Sequence, residues 1–125
     1  MGVCALDAVS MAMKVLVTGG RDYDDRDKVF ATLDAIHSNT PITLLIEGGA
    51  FGADTLAWVW TRLRRVTCRT KRARWAMHGN AAGPLRNRRM VEMQPDLVVA
   101  FPGGRGTHNC VTLASYYGLR VHQVR

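Results

Sequence analysis

The sequence predicts an α/β fold in which a five-stranded, mostly parallel sheet carries helices on both faces. Three observations lead there. Short apolar runs of strand length alternate along the chain with segments whose apolar residues recur at helical spacing. The connections between them are short, so successive strands must be joined by helical crossovers, which makes neighbours parallel and buries both faces. Three of the strands end in a glycine pair, at Gly19-Gly20, Gly48-Gly49 and Gly103-Gly104.

Taken in order, Lys14–Thr18 is a buried strand running into Gly19-Gly20. Asp24 or Asp25 caps a first helix with Val29, Phe30, Leu33 and Ile36 on one face, stopped at Asn39-Thr-Pro41. Ile42–Ile46 is the second strand. The second helix carries Leu56, Val59, Trp60 and Leu63 as its apolar stripe. Val66–Met77 is the weakest strand, and its Lys and Arg residues suit a sheet edge, where charge discourages aggregation. Pro84 opens a third helix, which ends at Gln94-Pro95. Leu97–Phe101 is the fourth strand, Thr107 caps a last helix that ends at Gly118, and Leu119–Val124 is the fifth strand. The result is a single Rossmann-like domain over residues 13–125. Residues 1–12 are read as an N-terminal extension, with its flexibility left open.

Composition excludes several classes. At 125 residues the chain is one domain, and its hydrophobic fraction of 47% is that of a globular protein. No apolar run approaches the roughly 18–20 residues that span a bilayer, and Met1–Ala12 contains Asp7 and lacks the basic start of a signal peptide. Cys4, Cys68 and Cys110 are odd in number and widely spaced, which fits a reducing cytoplasm better than a disulfide framework. No metal-ligand spacing is visible, and no metal or cofactor is expected.

The net charge of +7 is unevenly placed. Residues 1–61 carry Lys14, Arg21, Arg26 and Lys28 against eight acids, whereas residues 62–125 carry thirteen Lys or Arg against Glu92 and Asp96. Such asymmetry points to an anionic partner or to a charge-matched contact between subunits; a solvated basic face is the plainer alternative for Arg62–Arg74.

Ligands of open parallel sheets bind outside the carboxyl ends of the strands, so the three glycine turns should lie along one rim. Glycine lets a backbone approach an anion closely, and the following helix offers unpaired N–H groups and a positive dipole end. Pro102-Gly-Gly-Arg-Gly-Thr107 opening a helix is the strongest of the three signals. In Gly79–Arg89, Arg86, Arg88 and Arg89 fall in the first helical turn, where the dipole disfavours cations unless an anion is bound nearby. Arginine also grips phosphate bidentately.

These segments together resemble the SLOG superfamily, in its YspA/YpsA-related branch, across nearly all of residues 13–125. The residues that carry the likeness are Val17–Asp22, Glu47–Asp54, Gly83–Met90 and Phe101–Thr107. The resemblance implies a Rossmann-like fold that binds nucleotides or nucleotide-derived, phosphoribosyl-containing ligands. It points to Gly19, Gly20, Arg21, Gly48, Gly49, Arg86, Asn87, Gly103, Gly104, Arg105, Gly106 and Thr107 as phosphate or ligand contacts. Related LOG proteins hydrolyse the N-glycosidic bond of nucleoside monophosphates, others bind nucleotide signals, and the relative DprA binds single-stranded DNA. Relatives are commonly dimers.

One departure matters. The LOG pattern Pro-Gly-Gly-x-Gly-Thr-x-x-Glu has its catalytic glutamate where this chain has Cys110, and a thiol does not replace a carboxylate that stabilises an oxocarbenium-like centre. Glu47, Asp54 or Asp22 could supply a carboxylate instead, although each also reads as a loop-ordering or helix-start residue. Cys110 itself reads as buried packing, His78 and His108 as rim residues, and Trp75 as core rather than as a base-stacking platform. Three functions remain: a nucleotide-binding sensor or sequestering protein, an N-glycosidic hydrolase, and a single-stranded nucleic-acid binder using Arg62–Arg89, the last disfavoured by the few aromatics in the basic run. The acidic Asp22–Asp27 segment, the basic region and the apolar surface around Trp58 lead us to expect a homodimer or higher homo-oligomer through the second helix.

Overall fold

The computed structural model describes residues 12–125, so the reading of the N-terminal extension lies outside the described residues. The chain forms β1 (Met13–Thr18), α1 (Arg26–Asn39), β2 (Ile42–Glu47), α2 (Ala53–Arg64), β3 (Thr67–Thr70), α3 (Trp75–His78), a short 3-10 turn (Gly79–Ala81), α4 (Ala82–Glu92), β4 (Leu97–Ala100), α5 (Arg105–Tyr116) and β5 (Val121–Gln123). The five strands make one sheet in the order β3-β2-β1-β4-β5, with every neighbouring pair parallel.

Side chains along β1 alternate between two cores, as the period of a strand requires. Val15 and Val17 join Val29 and Leu33 of α1 and Trp60 of α2 on one face. Leu16 faces the other way, onto Met90 and Val91 of α4 and Cys110 and Ala114 of α5. β1 and β4 are buried along most of their length, while β3 alternates toward solvent and β5 is largely exposed, as edges are.

Asp25 is the residue that caps α1, its carboxylate accepting from the Lys28 N–H at 3.0 Å. Several local expectations are corrected. The segment after Val66 pairs for only four residues, because beyond Thr70 it leaves the sheet and turns into α3; Trp75 therefore starts a helix and is half exposed rather than core. On α2 the buried face is Ala53, Ala57, Trp60 and Thr61, and Leu63 is exposed. α4 begins at Ala82, two residues before Pro84, which moves Arg86 into its second turn. α5 begins at Arg105 after Gly104, so Thr107 lies inside the first turn and does not cap it.

One fastening between α1 and α2 is not visible as a motif. The Asp34 carboxylate accepts from Trp60 Nε1 at 2.8 Å and from Arg64 Nε and Nη2, both at 2.9 Å. The hydrogen bonds from Arg64 hold its carboxyl below the usual range. Arg64 and Asp34 are both well exposed, so the ion pair itself is worth little. The indole is buried, and an orphaned buried N–H is costly. Asp34→Ala should therefore cost about 1–3 kcal/mol, clearly more than Arg64→Ala, in urea unfolding; equal losses would assign the stabilisation to the surface pair.

Candidate functional site

The order β3-β2-β1-β4-β5 places a switch point between β1 and β4: the chain leaves β1 toward one edge and leaves β4 toward the other. At that point, outside the carboxyl ends of both strands, lies a cleft of about 1130 Å³, enough for a nucleotide-sized molecule. Its floor is Thr18–Asp22 with Asp54, Arg86 and Asn87, one wall is the Gly103–Asn109 segment, and the other is Trp75, Asn80 and Gly83.

The β1 and β4 turns are pressed together. The Gly20 N–H donates to Pro102 O at 2.9 Å, and a Cβ on Gly103 would stand 2.6 Å from Gly20 N. A side chain there is excluded by backbone, which does not yield. Gly52, which the sequence motifs did not single out, closes the turn before α2. It has φ +79°, and a Cβ would strike the carbonyls of Gly20 and Arg21.

The glycine turns differ in what their N–H groups do. In the second turn, the chain's own carboxylates occupy them. Asp54 Oδ2 accepts from Gly48 N at 3.1 Å and Ala50 N at 3.3 Å, and Glu47 Oε1 accepts from Gly49 N at 2.6 Å. Glu47 also receives the Thr70 hydroxyl and the Cys68 thiol, is buried, and faces a small hollow beside Trp58 and Arg72 instead of the main cleft. Of the glycine turns expected along one rim, Gly48 and Gly49 do not line the main cleft, whereas Gly19, Gly20, Arg21, Gly103, Gly104, Arg105, Gly106 and Thr107 do. In the third turn, the N–H groups of Gly104, Arg105, Gly106 and Thr107 meet no acceptor among the described residues; the first bond of α5 runs from His108 N to Gly104 O. They are the unpaired donors of a helix start.

Arg86 and Asn87 are buried where α4 meets this turn. Arg86 Nη1 donates to Gly48 O at 2.7 Å and Nε to Asn87 Oδ1 at 2.9 Å. Asn87 Nδ2 in turn donates to Gly106 O and Asn109 Oδ1. No acid lies within ion-pair distance of Arg86 among the described residues. Burial lowers its pKa, the nearby charge of Asp54 works against that shift, and Arg21 adds to it. Arg88 instead pairs with Glu92 on the surface, and Arg89 donates to Arg72 O, so the three arginines do not act as one cluster. His108 lines the cleft and His78 does not.

Asp54 has an unusual titration. Burial raises its pKa to about 6, assisted by the charge of Glu47 and opposed by the Ala50 and Gly48 N–H groups and by Arg86. Cys110 is fully buried, and burial pushes its thiol to about 11; its position near a helix start does not activate it.

The YspA, cpYpsA-related SLOG family model matches residues 13–78, just over half of the chain. The chain belongs to this family. It is also 40% identical over 116 residues to the Gene 61 protein of Mycobacterium phage D29, an alignment covering 86% of this chain and 93% of that protein. No solved structure matches it. The family match ends at α3, so the Arg86-Asn87 and Gly103–Thr107 segments lie beyond it. Their contribution to the site stands on the geometry above. Among the described residues, no helix is long and apolar enough to cross a membrane.

The Asp54 titration gives a sign. The unfolded carboxyl, near its ordinary 3.8, loses its proton before the folded one at about 6, so Asp54 favours the fold at low pH and opposes it as pH rises through that window. The full effect is of order 3 kcal/mol at most. The stability difference between Asp54→Asn and the native protein should move in favour of Asn between pH 4 and pH 7.5. A pH-independent difference in urea unfolding would assign Asp54 a normal pKa.

Proposed function

We propose that the cleft binds a nucleotide or nucleotide-derived, phosphoribosyl-containing ligand, with its phosphate on the first turn of α5. The observation that carries this reading is the contrast between the turns. The N–H groups of the β2 turn already hold carboxylates of the chain, whereas those of Gly104–Thr107 have no acceptor among the described residues and belong to residues lining a cleft with Arg21 and Arg86. Helix-start donors favour an anion, and a phosphate would give Arg86 the direct ion pair that neither Asp54 nor Glu47 makes with it. The family membership supports a nucleotide-related ligand. In this reading the protein acts as a sensor or sequestering protein.

One observation favours a second reading, hydrolysis of an N-glycosidic bond. Asp54 lies on the cleft floor with a pKa near neutrality and with Oδ1 free of hydrogen bonds among the described residues. A carboxyl so tuned can donate or accept a proton at pH 6–7. Glu47 has no comparable access.

Gly104 lines the cleft, has φ −99°, and a Cβ there meets nothing within 4 Å. Gly104→Val should therefore fold normally and block the anion site, weakening AMP or ribose 5-phosphate at least about tenfold, the loss of one charged hydrogen bond, in calorimetric titration. Unchanged affinity would remove the phosphate assignment. In the same series, release of free base by the native protein and not by Asp54→Asn would establish the hydrolase over the binding protein.

The exposed Trp58 and Leu63 on α2, with the Arg62 guanidinium 5.6 Å from the Trp58 ring, support self-association through that helix. Light scattering should give the mass of two chains, falling to one in Trp58→Asp; a monomer mass at high micromolar concentration would exclude it.

A further inference from the structure

Of the three tryptophans, Trp60 is sealed in the core and Trp58 borders the small hollow beside Glu47. Trp75 lines the main cleft while remaining 48% exposed. It lines the cleft from a different element than the α5 turn, at the start of the short α3 segment that the chain inserts between β3 and α4. Its indole is seated in place. Gly83 at the start of α4 leaves room for it, since a Cβ there would come within 3.3 Å of the ring, and the Arg21 guanidinium lies 5.4 Å from its centroid. The next cleft-lining residue along the chain is Asn80, whose amide has no hydrogen-bond partner among the described residues.

We propose that Trp75 is the stacking platform for the aromatic base of the bound nucleotide, and that Asn80 hydrogen-bonds to the edge of that base. The proposal rests on the phosphate assignment above and extends it to the other end of the ligand. A flat, apolar, half-exposed surface beside an exposed amide with no protein partner among the described residues matches a nucleobase, which has an apolar face and a polar rim. A sugar phosphate alone offers neither. The two walls then define an orientation: phosphate on α5, base against α3, and the sugar between them over Asp54 and Arg86. The ligand class is accordingly a nucleoside monophosphate and not a phosphorylated sugar. Arg21, seated beside the ring and facing Arg86 across the cleft, connects the two ends.

The test measures AMP, GMP, CMP, UMP and ribose 5-phosphate against the native protein, Trp75→Ala and Trp75→Phe by calorimetry. Base–aromatic stacking leads us to expect that the native protein binds at least one monophosphate about tenfold or more tightly than ribose 5-phosphate. Trp75→Ala should abolish that preference while leaving ribose 5-phosphate affinity within about twofold, and Trp75→Phe should restore most of it. Indole fluorescence should respond to the same monophosphate in the native protein and not in Trp75→Phe, because the remaining tryptophans lie outside the cleft. Native binding of monophosphates and ribose 5-phosphate with equal affinity, or a preference that survives Trp75→Ala, would overturn the stacking role and leave the phosphate site standing. Failure of all five probes to bind the native protein would overturn both. Matched thermal melts of the variants establish that a loss is not unfolding, and a loss of equal size for all five probes counts against stacking.

Discussion

Everything at the cleft depends on one close approach, that of the Gly20 peptide to the Pro102-Gly103 turn. The Gly20 N–H donates to Pro102 O, while its carbonyl receives the N–H groups of Tyr23 and Ala53. A single peptide thus ties β1 to the β4 turn and to the start of α2. The contact continues the ladder between Thr18 O and Phe101 N, so the two turns are held by the sheet and not by loop packing. With the strands fixed in this way, α5 must leave β4 with its first N–H groups facing the switch point. The unpaired donors at the start of α5 follow from the sheet order together with the absence of two side chains.

Electrostatics then separate turns that look alike. The β2 turn, with the same Gly-Gly composition, sits beside two buried carboxylates that take its donors. The arrangement is self-consistent but costly: Asp54 is desolvated and repelled by Glu47, and Arg86 is desolvated, hydrogen-bonded to neutral acceptors and only partly offset by the charge of Asp54. Charged groups buried in this way are more stable when a counter-charge is present. In the proposed reading, a ligand bearing negative charge near Arg86 would offset part of that cost.

The fold was legible because its signals are additive along the chain. Apolar runs, short connections and glycine-ended strands agree on a parallel sheet, and burial on both faces of β1 and β4 explains their unbroken hydrophobicity. What was misread has local causes. The basic stretch after Val66 has no periodicity that marks where pairing stops, so the turn into α3 at Trp75 was read as strand. Pro84 reads as the first helical position, whereas glycine and alanine one and two residues earlier already adopt helix. At the site, the glycines and Arg86-Asn87 were legible by residue type, but a Gly-Gly pair does not announce whether its N–H groups are free. That depends on Asp54 and Glu47 folding back, a contact across several residues with no motif of its own. Gly52 escaped attention because its reason is tertiary, the carbonyl of Gly20 against its α-carbon. The Asp34 fastening was equally invisible, joining residues 26 and 30 positions apart.

The replacement of a carboxylate by Cys110 acquires a physical meaning in this setting. Position 110 packs against Leu16 and Met90 in the second core, and a buried neutral thiol suits that surrounding where a carboxylate would need its own partner. The cleft nevertheless keeps acidic chemistry at hand, because Asp54 enters from the opposite side, at the first turn of α2. An acid supplied from there would meet the ligand across the cleft floor, beside Arg86, instead of from the helix that holds its phosphate. Binding and any proton transfer would then reside on different elements, α5 for the phosphate and α2 for the proton. Loss of one would not entail loss of the other, a separation that a glutamate on α5 itself would not permit.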